Sequence, residues 1–132
     1  LKLLDNALEK ILTLTTDAFE FDDARTASQV EPLEQVIDIL VERLRAQHIK
    51  RLKDGACSID TGVVYLDVLN NVERISDHCS NIAARLVGME AGENYDSHTL
   101  KNMMHHNPTK EYMLNYEQCR KDYLVPLEQL EA

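Results

Sequence analysis

Side chains suited to a core recur every three or four residues through most of this chain. Over residues 1–21 they fall at Leu1, Leu4, Leu8, Ile11, Leu12, Thr15, Ala18 and Phe19, which is the period of an amphipathic helix. Asp22-Asp23 breaks that pattern. A second stripe, Leu33, Val36, Ile37, Leu40, Leu44 and His48, predicts a helix that runs to about Lys53. Its start has two readings. Ser28-Gln-Val-Glu31 reads as a capping box, while Ala24 to Ala27 also suits a helix, with Pro32 kinking the rod. Lys50, Arg51 and Lys53 crowd the last turn, where cations oppose the helix dipole, and Gly55 fits a left-handed stop. A third helix is expected from Ser58 or Ile59 to about Val87, with Gly88 and Gly92 ending it. Its stripe is Tyr65, Leu69, Val72, Ile75, Cys79, Ile82 and Leu86.

After Gly92 the periodicity weakens. Ser97 to His105 suits one short helix. Asn107-Pro108 reads as an N-cap followed by the first residue of a last helix, which carries Met113, Tyr116, Tyr123 and Leu127, and Pro126 should bend or fray its end. Long helices joined by short turns predict an all-α antiparallel three-helix bundle over about 1–90. A helical extension over about 95–132 completes a single domain of 132 residues.

Composition agrees with helices: there are only 4 Gly and 3 Pro, aromatics are 5 % and Trp is absent, so Leu, Ile, Val and Ala must fill the core. Charge changes the picture more. The chain has 23 acids against 14 bases, a net charge of −9. That excludes a phosphate-tracking nucleic-acid groove, which needs a basic face, and suits cations or a basic partner. Cys57, Cys79 and Cys119 are widely spaced and odd in number, so they read as reduced thiols in a cytosolic setting. No apolar run is long enough to cross a bilayer. The chain opens at Leu1 already in a helical pattern, as the downstream part of a longer protein would and as a chain trimmed of a tag would too.

The acids are also patterned. Glu73, Asp77 and Asn81 stand four residues apart, so they stack in a column on one helix face. Glu34 and Asp38 repeat the spacing on the preceding helix. Each column lies about 100° to the same side of its helix's stripe, at the border of the core. Carboxylates and an amide oxygen in columns form a hard-oxygen surface of the kind that Mg, Mn, Ca or ferric iron prefers. For an isolated pair, a solvated acidic face is the plainer reading. Repetition on consecutive helices favours one shared cation site.

The string Asn71-Val-Glu-Arg-Ile-Ser-Asp-His-Cys-Ser-Asn-Ile-Ala83 resembles the signature of the PhoU family, and Glu31-Pro-Leu-Glu-Gln-Val-Ile-Asp38 resembles its partner motif. His48-Ile-Lys-Arg-Leu-Lys-Asp-Gly-Ala-Cys57 and Gly62-Val-Val-Tyr-Leu-Asp67 are similar to one branch, the PhoU-like domain at the C-terminus of bacterial sodium/phosphate cotransporter family proteins. The resemblance implies a three-helix PhoU-like bundle holding divalent or ferric metal ions (Mg, Mn, Fe or Zn). The metal positions that it implies are Glu34, Asp38, Glu73 and Asp77, with Asn81 as a ligand or supporting group. It also implies regulation of phosphate transport at the cytoplasmic side of the membrane, with a membrane transporter domain as partner. A free-standing PhoU-like regulator is the alternative, and a metal-free helical interaction module is a third reading. PhoU carries two tandem bundles and this sequence has one, so a homodimer is expected to restore the doubled arrangement.

No catalytic constellation emerges. There is no Gly-rich phosphate loop, and Ser76 and Ser80 have no evident base. His78 and His48 have no histidine four residues away, and adjacent His105 and His106 point to different sides of a helix. Arg74 and Arg85 suit surface ion pairs. The chain is read as no enzyme.

Overall fold

The helical period of the sequence is realised throughout the computed structural model, which describes residues 1–90, 92, 97–106 and 108–131. The elements are α1 (Lys2–Glu20), α2 (Ala24–Ala27), α3 (Val30–Lys53), α4 (Ile59–Glu90), α5 (Ser97–His106), α6 (Lys110–Cys119), a π-helical turn (Arg120–Leu124) and α7 (Val125–Glu131). No strand occurs among the described residues. The fold is the expected all-α bundle: α1, α3 and α4 share one core, α5 packs on α4, and α6 with the π turn packs on α3.

The connection after α1 differs from the capping-box reading. Asp22 takes a positive φ of 51°, a region non-Gly residues seldom enter. Asp23 then caps α2, its carboxylate accepting from the Arg25 and Thr26 amides. The Ser28 hydroxyl turns back and donates to the Arg25 carbonyl at 2.6 Å, so it does not cap α3. Gln29 stands at that N-cap with no side-chain bond. Pro32 is the third residue of α3, where its missing N–H costs nothing, and Glu31 is drawn into the core. At the other end Gly55, at a φ of +72°, closes the turn to α4, whose start is capped by the Ser58 hydroxyl accepting from the Thr61 amide.

α3 and α4 run antiparallel, since Glu31 meets Ser80, Arg45 meets Asn70 and Glu73, and His48 meets Gly62. The stripe predicted for α3 is buried in full. That of α4 is not. Ile75 and Ile82 are 37 % and 43 % exposed, while Ser76, Ser80, Ala83 and Ala84 are buried in their place. Small residues let three helices approach closely, and that need outweighs the size of isoleucine. On α1, Leu1, Leu12 and Phe19 are likewise exposed, and Ala7 and Leu14 take inner positions.

Gly88 lies inside α4 and does not end it. Its missing side chain makes room for Leu100 of α5, whose Cδ1 would sit 2.6 Å from a Cβ there. The stop is Gly92, at a φ of +74°. α6 begins later than the Asn107-Pro108 signal implies. Thr109 is its N-cap, accepting from the Tyr112 amide at 3.0 Å, and Asn107 lies outside the described residues. Pro126 neither ends nor frays the last helix. A proline has no N–H for the carbonyl four residues back and its ring crowds that carbonyl. The wider π turn at 120–124 accommodates it, and the helix continues through α7.

Candidate metal centre

A spacing of four residues carries Glu34 and Asp38 down one face of α3, and Glu73 and Asp77 down one face of α4. The antiparallel packing brings both columns to a single cavity of about 790 Å³. Asp67, Asn70, Asn71 and Arg74 of α4 complete its lining. Asn81 is not among the lining residues. Its side-chain oxygen instead accepts from Lys101 Nζ at 3.3 Å. The columns are also unequal in depth. Glu34 is buried at 5 % exposure, Asp38 and Glu73 are half-buried, and Asp77 is exposed. Asp38 and Glu73 are at the expected border of the core, while Glu34 sits deeper and Asp77 further out.

Burial governs the electrostatics. It pushes the Glu34 carboxyl up to about 9, and the charges of Asp38 and Glu31 add to the rise. Burial raises Asp38 as well, helped by Glu73, Asp77 and Glu31 and opposed by its hydrogen bond with Glu34. Two adjacent carboxyls in a poorly solvated place cannot both ionise readily, so burial favours the protonated form of this pair. The outer column is neutralised differently. Arg45 donates to Glu73 Oε2 at 3.1 Å and to Asn70 Oδ1 at 2.9 Å. Lys101 donates to Asp77 Oδ1 at 3.1 Å. Burial works against the Lys101 ammonium, but the bond to Asp77 and the fields of Glu31, Glu34 and Asp77 hold it above its ordinary range.

The donor set is chemically that of a hard cation: carboxylates with amide oxygens close by. Glu34, Asp38, Glu73 and Asp77 would hold such an ion, which would supply the positive charge these acids now take from a proton, Arg45 and Lys101. As the side chains stand, no three acidic, histidine or cysteine side chains among the described residues come together as a ready ligand set.

Several residues of this region carried no signal along the chain. Glu31, which reads as a capping residue, is 2 % exposed. It accepts from the Ser80 hydroxyl on one oxygen and from His105 Nε2 at 2.7 Å on the other. Lys101 and His105 come from α5, where the stripe is weak, although their spacing of four was legible. The Tyr112 hydroxyl is buried with no hydrogen-bond partner among the described residues, and burial with the charges of Glu31 and Glu34 pushes it above the usual range. His48 is structural: its Nε2–H donates to the Gly62 carbonyl at 3.2 Å, Arg51 donates to its Nδ1 at 2.9 Å, and its ring stacks on Tyr65 with centroids 4.2 Å apart. His78 is exposed on α4.

A helical bundle with the acids of two antiparallel helices around one cavity is the class of protein defined here. The chain belongs to the PhoU domain family, whose match covers residues 1–86. Among curated proteins it is similar to a phosphate-specific transport system accessory protein PhoU homolog 1 of Thermotoga maritima, 27 % identical over 97 residues, 71 % of this chain and 42 % of the relative. It is also similar to a phosphate-specific transport system accessory protein PhoU homolog of Streptococcus pneumoniae, 34 % identical over 79 residues, 60 % of this chain and 37 % of the relative. The matched segment thus spans less than half the length of these relatives. No solved structure matches significantly. No helix among the described residues is long and apolar enough to cross a membrane.

Proposed function

We propose that this PhoU domain regulates phosphate uptake, binding metal at its acidic cavity and acting on a membrane transporter from the cytoplasmic side. The observation that carries the metal reading is the convergence of Glu34, Asp38, Glu73 and Asp77 on one cavity, at a depth where Glu34 keeps a proton to about pH 9. A cation that replaces this proton relieves the repulsion and stabilises the fold by mass action. The printed names of the relatives support an accessory role beside a phosphate transport system. They favour a free-standing regulator over a domain of a sodium-dependent phosphate cotransporter, a reading that rests only on the likeness of 48–57 and 62–67. A second copy of the bundle is the other proposed partner. Val68, Ile75, Ile82 and Met89 are exposed along α4, an apolar edge that another bundle would cover.

The test is metal content and melting temperature. Mg, Mn or Fe should raise the melting temperature, and Asp38→Ala combined with Asp77→Ala should abolish the rise. Purified protein free of metal, with a melting curve unchanged by any of these ions, would overturn the metal reading.

A further inference from the structure

We propose that α5 is an internal competitor of the metal: Lys101 occupies Asp77, one of the four acids of the cation site, and metal binding releases the helix. The proposal rests on the metal reading above and adds the regulation of that site. α5 lies beyond the stretch that matches the family. Its inner face presents two basic side chains one turn apart. Lys101 Nζ lies 3.1 Å from Asp77 Oδ1 and 3.3 Å from Asn81 Oδ1. Its side chain is only 13 % exposed, so the stem is folded down against the bundle and the charge is not left in open solvent. His105 Nε2 reaches Glu31 Oε1 at 2.7 Å. One short helix thereby touches an acid of α3, Glu31, and an acid of α4, Asp77.

The apolar part of the contact is equally local. Leu100, between the two faces of this helix, is buried in the space left by Gly88. Any side chain at position 88 would meet it. The docking of α5 rests on this small residue together with the polar bonds, and the bond to Asp77, whose side chain is 54 % exposed, is of the solvent-screened kind that a bound ion can displace. Exclusion is a matter of charge and space. An ammonium group and a metal ion cannot both sit against Asp77 Oδ1. By linkage, the factor by which docked α5 weakens metal binding equals the factor by which metal weakens docking.

Two measurements with MnCl2 on the whole chain test this. In hydrogen exchange, saturating Mn should speed amide exchange over 97–106 by about tenfold or more while slowing it in α3 and α4. In calorimetric titration, Lys101→Met and Gly88→Val should each bind Mn about tenfold more tightly than the parent chain. Gly88→Val dislodges α5 with the Lys101 charge retained, so it separates competition by docking from a bare charge effect. Unchanged or slower exchange over 97–106 with Mn bound overturns the proposal, even if metal binds. So does tighter binding by Lys101→Met alone, with folded Gly88→Val matching the parent. Failure of all variants to bind Mn would instead remove the metal reading itself, and the competitor with it.

Discussion

The Ser80 hydroxyl of α4 donates to the Glu31 carboxylate of α3, inside a contact where Glu31 is 2 % exposed and Ser80 fully buried. A hydrogen bond to a buried carboxyl contributes more than one at the surface, because removing the donor leaves that oxygen without a partner. Ser80→Ala should therefore lower stability by about 1–3 kcal/mol. The midpoint of urea unfolding would move down with its slope unchanged. A change within error would show that His105 alone satisfies Glu31.

Glu34 gives the metal-free protein a pH dependence of definite sign. Its carboxyl rises from an ordinary 4.5 to about 9 in the fold, so the folded state binds a proton that the unfolded chain has released. Stability from this group is fully present at low pH and is lost as pH climbs from about 4.5 through about 9, because the native state then holds more protons than the unfolded one. Asp38, also raised, adds to the same slope. Glu34→Gln keeps the shape and removes the proton. It should flatten the dependence of melting temperature on pH and melt higher than the parent above about pH 8. A parent chain more stable at pH 9 than at pH 6, without metal, would contradict this.

Gly62 faces His48 and Leu52 at the closed end of the α3–α4 hairpin. A Cβ there would lie 2.5 Å from Leu52 Cδ2 and 3.2 Å from His48 Nε2. The leucine can swing, but the imidazole is fixed by Gly62 O, Arg51 and Tyr65. Gly62→Ala should cost about 1–3 kcal/mol, the range for an overpacked contact, despite the gain in helix propensity. A variant as stable as the parent in thermal unfolding would mean that Leu52 alone absorbs the extra methyl.

Self-association is expected at micromolar concentration. Sedimentation should give a dimer, and Ile75→Asp with Ile82→Asp should give a monomer of unchanged helix content. A monomeric parent chain would leave the transporter as the expected contact. That contact is expected to weaken as salt rises, since a charge of −9 draws in a basic loop over distances set by screening.

The helices of the core were legible because their period is strong. The whole stripe of α3, from Leu33 to His48, is buried as its pattern requires. α4 was misread at Ile75 and Ile82 because hydrophobicity ranks isoleucine above serine, whereas close packing selects Ser76 and Ser80 and then satisfies their hydroxyls through Glu73 O and Glu31. The four acids of the cavity were legible from spacing alone, and the structure places all four along one cavity. What neutralises them was not. Arg45 and Lys101 pair with Glu73 and Asp77 from 28 and 24 residues away in sequence, and such pairings follow from how helices dock rather than from any local pattern. The π turn was hidden for a related reason, since Pro126 announces a disturbance but not the form it takes.

The antiparallel pair α3 and α4 is pinned on both sides of its acids: by Glu31 with Ser80 beyond them, and by His48 with Gly62 toward the turn. A hinge with one free end would let like charges spread the helices and so dissipate their repulsion as motion. A frame fastened at both ends has a fixed gauge. Whatever pressure builds between the two rows of carboxylates must then be answered by exchange with the surroundings, a proton gained or a positive charge admitted, while the scaffold keeps its shape.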